Sequence, residues 1–491
     1  MTVAVLKKEQ LSLTPIVSES IKEWLEDPKR VFTASDYHKG PVHIIFPENM
    51  TKNINDLKQT MDDMGLQYRI FFAHKPTKSA AFIRQALYSN IGLDVASENE
   101  LVSALSAGFT GDNIECTGVK SNAFLELALR HKCLVVADSI GELNRMKMIK
   151  QQCNLLHKTN ILIRVSDVRF ADRQQKLRHS RFGVPQNALA EVLEFFDHND
   201  DFIFKGYHLH NDERESDIRA GQLESLLTMM EDAYRLGHEP IYINIGGGLR
   251  RKVLENYDSW AHFVNALEES LMEHRDAVSW ERYGYGMRLN DKGKVMGRGA
   301  VQGLIPNIDF TQVLKDMFTS NRQRGRELGA IITENGFDVI TEPGNALLDQ
   351  CGISLFTVIE TKQSRDGANL VLMDANMYNL AVPMREYLLD PIHIPRSKNE
   401  DFENLTYEGY LIGNLCREED FLMRRKLSFK QKPQAGDIIA FINTAAYKMD
   451  FENANPHLHS DGRKIVAYKK EGQWFSCSED AYNPYEAGDI K

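Results

Sequence analysis

The chain has 491 residues, 42% of them hydrophobic and 26% charged, and a formal net charge of −10 at pH 7. This length predicts two or three domains, and the acidic balance argues against a protein that binds nucleic-acid phosphates. No apolar run has the length of a membrane span, and the first residues lack the pattern of a secretory signal, so we expect a cytoplasmic protein without a membrane partner.

Short β-branched or aromatic runs alternate with amphipathic stretches from about residue 66 onward. This alternation is typical of parallel βαβ units. The predicted strands are Tyr68–His74, Leu93–Ala96, Ile114–Thr117, Leu134–Ala137, Ile161–Val165, Gly206–His210, Ile241–Ile245 and Val339–Glu342. The predicted helices include Glu98–Ala107, Ser216–Leu236 and Trp260–His274. Eight units of this kind predict an α/β fold in the form of a (β/α)8 TIM barrel.

The remainder of the chain follows a different pattern. Beyond Gly344 short alternating runs predict a mainly β domain, with strands Ile353–Glu360, Leu370–Met373, Asp437–Phe441 and Lys464–Tyr468, which Val42–Phe46 joins. We therefore predict an N-terminal segment at residues 1–48, a barrel at 49–344 and a C-terminal β domain at 345–491. Within the barrel, residues 277–335 are too long for an ordinary connection and predict an insertion.

The six cysteines are scattered along the chain without Cys-x-x-Cys spacing. This pattern predicts neither a disulfide framework nor a metal site. Most of these thiols are expected to be inert, with Cys416 set apart by its polar surroundings.

Several polar residues and glycines end or directly follow predicted barrel strands, where the active site of this fold lies. They are Lys75, Asp94, His210, Gly246, Gly247, Gly248 and Glu342. Lys75 ends a strand in FFAHKPTKS, and a lysine on so rigid an element suits covalent attachment of an aldehyde cofactor. The alternative for Lys75 is an ordinary solvated charge.

Three further motifs support a ligand site, and each also has a purely structural interpretation. The glycines of NIGGGLR let backbone N–H groups approach a phosphate closely, or they make a tight turn without a ligand. Glu342, in TEPGN, can pair with a protonated ring nitrogen, or it is a turn contact. His210, in GYHLHND, can stack on a flat ring, or it is a hydrogen-bonded polar residue.

Taken in order, these motifs resemble those of the fold-type III pyridoxal-phosphate decarboxylases, the group that contains diaminopimelate and ornithine decarboxylases and shares the alanine racemase barrel. FFAHKPTKS resembles the cofactor-lysine motif, GLDVASENEL the strand–helix motif after it, and GYHLHND the ring-stacking histidine segment. NIGGGL resembles the phosphate loop, and TEPGN the glutamate that pairs with the pyridine nitrogen. GNLCREED resembles the loop that carries a cysteine across a dimer interface, and NTAAYKMDF the C-terminal motif with Tyr447 near the phosphate.

The resemblance implies pyridoxal 5′-phosphate held by Lys75, with Asp94, His210, the three glycines, Glu342 and Tyr447 around it. It also implies a homodimer with shared active sites, in which Cys416 protonates the substrate carbon after carbon dioxide leaves. The expected activity is decarboxylation of a small amino acid. An amino-acid racemase or epimerase of the same fold, or a cofactor-binding protein without turnover, is the alternative.

The chain departs from the family at its expected substrate and phosphate contacts. Asn345 and Val382 replace two arginines that bind substrate in diaminopimelate decarboxylases, so we expect another substrate. Arg417 follows the loop cysteine where the family carries an acidic residue, and either binds a distal anion of the substrate or pairs with Glu418 or Glu419. Asn345 and Asp420 are the other candidate substrate contacts. After His210, the acidic run Asp212–Glu213 replaces a small Gly-Ser pair, and Arg214 and Arg219 are the cations available to offset it.

Overall fold

The computed structural model describes residues 11–166, 180–210, 215–397, 406–452 and 454–487. The chain forms two compact units, each assembled from separate segments. The barrel unit takes residues 47–251, 308–349 and 479 onward, and the β unit takes residues up to 46, 252–307 and 350–478. The division at residues 48 and 344 stays a prediction.

Eight parallel strands close the barrel. They are β1 (Gln67–Ala73), β2 (Gly92–Val95), β3 (Ile114–Cys116), β4 (Leu134–Ala137), β5 (Thr159–Ser166), β6 (Phe202–His208), β7 (Tyr242–Asn244) and β8 (Asp338–Thr341). Each strand pairs with the next, and β8 pairs with β1, all in parallel register. Every predicted barrel strand overlaps one of these, so the predicted (β/α)8 fold is confirmed.

Helices connect the barrel strands, as the alternating pattern predicts. The helices of this unit are Pro47–Asp63, Ala80–Tyr88, Glu98–Ser106, Asn122–Arg130, Ile140–Gln152, Leu189–Asp197, Ser216–Arg235, Phe310–Phe318, Leu328–Glu334 and Pro484–Ala487. Ser97, Ser121 and Ser139 each precede a helix and accept a backbone hydrogen bond from its first turn. These N-caps mark the point after β2, β3 and β4 at which the next helix begins.

An apolar cluster fills part of the barrel. It combines Phe71, Leu134, Val136, Leu162 and Ile340, which come from β1, β4, β5 and β8. Because alternate residues of a strand face opposite sides, the same strands can carry polar side chains at their C-terminal ends. The cluster therefore supports those ends as a rigid platform.

The second unit is mainly β, as predicted. Its strands are Val42–Ile45, Gly352–Gln363, Asn369–Met373, Ile392–Ile394, Tyr407–Ile412, Phe421–Phe429, Ile438–Ile442, Arg463–Lys470 and Gln473–Ser478, with a short hairpin of Arg288–Leu289 and Val295–Met296. Its helices are Glu19–Leu25, Pro28–His38, Asp258–Leu271 and Arg298–Gln302. The early strand Val42–Ile45 pairs with Gly352–Gln363 and Arg463–Lys470, and so joins this sheet as predicted.

One predicted helix lies in the β unit rather than around the barrel. The prediction Trp260–His274 corresponds to Asp258–Leu271, whose Trp260, Phe263 and Leu267 are buried in the core of the β unit. Amphipathic periodicity predicts a helix but not the sheet against which it packs. Across the described ranges, no helix is long and apolar enough to cross a membrane.

Candidate active site

The C-terminal ends of the barrel strands bring the predicted barrel residues together. The backbone N–H of His74 donates to the carbonyl of Asp94, and that of Glu342 donates to the carbonyl of Gly246. The backbone N–H of Gly247 lies 3.1 Å from Nδ1 of His210. Residues far apart in sequence thus line one end of the barrel, where TIM-barrel enzymes carry their chemistry.

Glu342 directly follows β8 and is 3% exposed. Its Oε1 lies 2.9 Å from Nε2 of His208 and accepts a 2.7 Å hydrogen bond from Nδ2 of Asn244. Burial alone would raise the pKa of Glu342, but His208 and His210 together hold it well below its ordinary value. Glu342 is therefore an ionised carboxylate in a buried position.

His208 and His210 both face Glu342, because two residues apart on an extended chain share a side. Their rings lie 6.2 Å apart and are nearly parallel. His208 is fully buried, and this burial lowers its pKa, while the neighbouring charge of Glu342 raises it against that larger effect. Nδ1 of His210 lies 3.2 Å from Oε2 of Glu342 and also 3.1 Å from the N–H of Gly247, and it serves one of them at a time.

Two more acidic side chains lie beside Glu342. Glu115, on β3, is completely buried, and Nδ2 of Asn244 donates to its Oε1 at 2.8 Å. Asp94, on β2, accepts a 2.6 Å hydrogen bond from Oγ1 of Thr117. Burial, and then the charge of Glu342, raises the pKa of both acids well above the ordinary value. The cluster therefore favours the neutral forms of Asp94 and Glu115 and the ionised form of Glu342.

The glycine loop after β7 adopts a backbone that a side chain would disrupt. Gly246 and Gly248 have φ values of +65° and +76°, in the left-handed region that favours glycine. A Cβ at Gly247 would lie 2.4 Å from the carbonyl oxygen of Glu342. The loop is therefore a tight turn, in which the N–H of Gly246 donates a 2.7 Å hydrogen bond to Oδ1 of Asn244 and the N–H of Gly247 faces His210. Its role in holding a phosphate stays a prediction.

Arg219 places a buried cation at this loop. It lies in the first turn of the helix Ser216–Arg235, is 4% exposed, and donates a 2.7 Å hydrogen bond to the carbonyl of Gly247. Buried guanidinium groups favour anions with planar or tetrahedral oxygens. From the sequence, Arg219 is expected only to offset the nearby acidic residues. Asp212, Glu213 and Arg214, named with it, lie outside the described residues.

Lys75 follows β1 as an exposed side chain at the same end of the barrel. Its charge is one of the influences on Asp94, whose pKa it lowers against the larger effect of burial. The preceding His74 is buried, with Nδ1 3.9 Å from Glu100. Asn345, three residues after Glu342, is half-buried. Lys75 is thus accessible to a ligand beside the acidic cluster.

Four residues of this cluster are not among those predicted from the sequence, namely Glu115, Arg164, His208 and Asn244. Each is a polar residue in a barrel strand, which is itself a signal because strands buried on both faces are normally apolar. Arg164, on β5, lies with its guanidinium 4.5 Å from the Phe182 ring, and its Nη2 is 3.5 Å from the carbonyl oxygen of His210.

The other predicted site residues belong to the β unit and are described there by themselves. Asp420 is 3% exposed, and its two carboxylate oxygens accept backbone hydrogen bonds from Met377 and Leu415, both at 2.8 Å. Asp420 therefore holds the GNLCREED loop in shape. The loop presents Cys416 and Arg417 as exposed side chains.

Among the described residues of the β unit, Arg417 makes weak side-chain contacts with Glu419 and Tyr378. Its Nε lies 3.6 Å from Oε2 of Glu419, and Nη1 lies 3.4 Å from the hydroxyl of Tyr378. Both members of the ion pair are exposed, and such pairs contribute little to stability. A ligand carboxylate can therefore replace Glu419 at low cost.

Tyr447 lies in the β unit with φ at +66°. A left-handed backbone is uncommon for a residue with a bulky side chain, and such strain concentrates at functional sites. Its ring meets that of Phe451 edge-on at 5.4 Å. The role of Tyr447 near a phosphate stays a prediction.

The chain is similar to known proteins over much of its length. Residues 48–282 match the family described as pyridoxal-dependent decarboxylase, pyridoxal binding domain. An uncharacterised protein of Sinorhizobium fredii is 26% identical over 432 residues, covering 86% of each chain. The diaminopimelate decarboxylase of Bacillus methanolicus is 32% identical over 232 residues, 44% of this chain and 52% of that relative. The one from Archaeoglobus fulgidus is 26% identical over 83% of each chain.

Solved structures share the fold at low sequence identity. Diaminopimelate decarboxylase from M. jannaschii matches with a TM-score of 0.67 and 16% identity over 94% of each chain. Arginine decarboxylase of Paramecium bursaria Chlorella virus matches with a TM-score of 0.63 and 15% identity, over 89% of this chain and 99% of that one. Both carry the same two-part fold over nearly all of the chain.

Proposed function

We propose that this chain, which belongs to the fold-type III pyridoxal-phosphate decarboxylase family, is a pyridoxal 5′-phosphate enzyme that removes the α-carboxylate of a small amino acid. The observation that carries the proposal is the buried, ionised Glu342 at the end of β8. A fixed carboxylate there suits a protonated pyridine nitrogen, and a neutral or cationic partner would not.

The residues of the barrel fit this cofactor. The glycine loop after β7 packs too closely against its neighbours to accept a side chain, and Arg219 adds a positive charge beside it. Lys75 is accessible at the same end and would hold the cofactor through its amine. The cofactor, when bound, supplies an electron sink for the charge left on the substrate α-carbon.

The protein supplies orientation and protons. Glu342 would hold a proton at the ring nitrogen, and His210 would pack against the ring. His208 and Asn244 keep the carboxylate of Glu342 in place, so it needs no rearrangement during turnover. Cys416 of a second copy would deliver a proton to the substrate α-carbon after carbon dioxide leaves. The proposal therefore includes a homodimer with shared active sites.

The substrate is proposed to carry a distal carboxylate or a similar anion. Arg417 is exposed, is weakly paired, and has the planar fork of donors that binds carboxylates well. Asn345 stands where diaminopimelate decarboxylases carry arginine, which argues for a substrate other than diaminopimelate. Aspartate, glutamate and their close analogues have the required chemistry.

The test is release of labelled carbon dioxide. Purified protein with added cofactor is incubated with carboxyl-labelled aspartate, glutamate, ornithine, lysine and diaminopimelate, and Lys75→Ala serves as the inactive control. We expect carbon dioxide from an acidic amino acid and none from the variant. Exchange of the α-proton with deuterated solvent, without carbon dioxide, would instead identify a racemase. Absence of both reactions on every amino acid would contradict the proposal.

A further inference from the structure

We propose that Glu115 is a protonated carboxylic acid that donates a hydrogen bond to Glu342 and so keeps Glu342 the ionised member of the buried acidic cluster. Glu115 is then a positioning residue, because it acts on the cofactor only through Glu342. The inference rests on the proposed function for its meaning, but the state of Glu115 is testable in the protein without cofactor.

The contacts of Glu115 account for one of its two oxygens. Oε1 accepts from Asn244, whose same Nδ2 also donates to Oε1 of Glu342 at 2.7 Å. Oε2 is buried and, within the described part of the chain, has no hydrogen-bond donor facing it. An ionised carboxylate would leave this oxygen charged and unsolvated, at a cost of several hydrogen bonds to water.

A protonated carboxyl group removes this problem. The proton turns one oxygen into a donor, and the carboxylate of Glu342 is a nearby acceptor whose interaction with Glu115 favours the protonated form. The charged groups that act on Glu115 are Asp94 from β2 and Glu342 from the end of β8. Glu342 in turn interacts with His208, His210 and Arg164. Two neighbouring carboxyl groups that cannot both ionise share one proton between them.

This arrangement has a consequence for Glu342. A neutral Glu115 beside it contributes a hydrogen bond rather than a second negative charge, so one net negative charge faces the ring nitrogen. Asn244 holds both acids through a single amide and fixes their relative orientation. Through Asn244, the buried Glu115 thus helps to fix the position of the Glu342 carboxylate that would face the cofactor ring.

The first measurement is an infrared difference spectrum between the wild-type chain and Glu115→Gln, recorded without cofactor at neutral pH. We expect the wild type to show a carbonyl stretch of a protonated carboxylic acid that is lost in Glu115→Gln, while any such band from Asp94 is present in both proteins. Glu194→Gln, at an exposed position in the helix Leu189–Asp197, is the matched control and should leave the band unchanged. An unchanged band in Glu115→Gln would overturn the inference.

The second measurement is the dissociation constant of pyridoxal 5′-phosphate for the same variants and for Glu115→Leu. Glutamine can still donate to Glu342, so Glu115→Gln should bind within about twofold of the wild type, whereas Glu115→Leu should bind about tenfold more weakly. Glu115→Met replaces Glu115→Leu if the latter does not fold. Equal affinity of the glutamine and apolar variants would overturn the positioning role.

The two measurements separate the inference from the proposed function. A wild-type chain that shows the infrared band but binds no cofactor would contradict the proposed function, and with it the cofactor role of Glu115. A wild-type chain that binds cofactor but lacks the band would contradict the inference alone.

Discussion

Nε2 of His208 lies 2.9 Å from Oε1 of Glu342, and both side chains are almost completely buried. They are separated by more than a hundred residues, and the barrel brings them together by placing the ends of β6 and β8 at the same mouth. This contact helps to keep Glu342 ionised in a position where burial alone would favour the neutral acid. The proposed cofactor chemistry depends on that charge.

Replacing His208 with leucine should therefore weaken cofactor binding. Loss of a contact to a buried charge costs about 1.5–3 kcal/mol, which is about tenfold or more in the dissociation constant of pyridoxal 5′-phosphate. Equilibrium dialysis with absorbance detection measures this constant. His238→Leu is the control, because His238 in the same unit faces Asp197 at 3.7 Å and has no role in the site. Equal affinities of the two variants would show that His208 does not support cofactor binding.

Arg219 should act on the phosphate and not on the ring. Arg219→Met is expected to weaken binding of pyridoxal 5′-phosphate about tenfold, because a charge-assisted contact is lost, and to leave binding of pyridoxal nearly unchanged. Arg235→Met, an exposed arginine of the same helix, is the control. A parallel loss of affinity for both compounds would mean that Arg219 supports the loop without contacting phosphate.

Arg417 should determine substrate choice. Arg417→Glu is expected to lower kcat/KM for an acidic amino acid by at least about tenfold, because repulsion replaces a charge-assisted pair, while Arg417→Lys should keep part of the activity. Arg365→Glu, an exposed arginine in a turn of the β unit, is the control for the change in net charge. Steady-state rates that do not distinguish Arg417→Glu from Arg365→Glu would exclude the distal-anion hypothesis.

His43 should make the β unit sensitive to acid. Burial lowers the pKa of His43 from 6.5 to about 4, and its Nδ1 lies 2.8 Å from Oγ of Ser354. Between pH 6.5 and 4, His43 is protonated in the unfolded chain but neutral in the native chain. The stability that His43 contributes above pH 6.5 is therefore lost as the pH falls toward 4.

The expected loss from this single group reaches about 3 kcal/mol in the free energy of unfolding at the acid end. Denaturant unfolding at a series of pH values measures it. His43→Gln should show a smaller decline over the same interval than the wild type. Parallel curves for the two proteins would show that His43 is not the acid-sensitive group.

The barrel could be predicted in detail because its signal is local. Each strand is a short apolar run that ends at a polar residue or a glycine, and Lys75, His210, Gly246 and Glu342 stand at such positions. Closure of the eight strands then places these residues at one mouth, so their proximity follows from the fold class. The glycine loop and Glu342 are close together in the structure for this reason.

The interior of the barrel could not be predicted in the same way. The side chains of Glu115 and Asn244 form a hydrogen bond inside the barrel. No local sequence pattern in β3 or β7 indicates that these two side chains face each other. The helix Asp258–Leu271 packs in the β unit although it lies between two barrel strands in sequence, because its apolar face fits either unit equally well by periodicity. The hydrogen bonds from Met377 and Leu415 to Asp420 are likewise not visible in the sequence, and contact of Asp420 with a substrate stays a prediction.

Reduction with borohydride shows whether Lys75 holds pyridoxal 5′-phosphate, because it makes the bond between the lysine and the cofactor permanent. The purified chain is incubated with cofactor, reduced, digested and analysed by mass spectrometry, with Lys75→Ala treated in parallel. We expect one reduced cofactor adduct, located on the peptide that contains Lys75 and absent from the variant. No adduct after saturation with cofactor, or an adduct on another lysine that persists in Lys75→Ala, would contradict it.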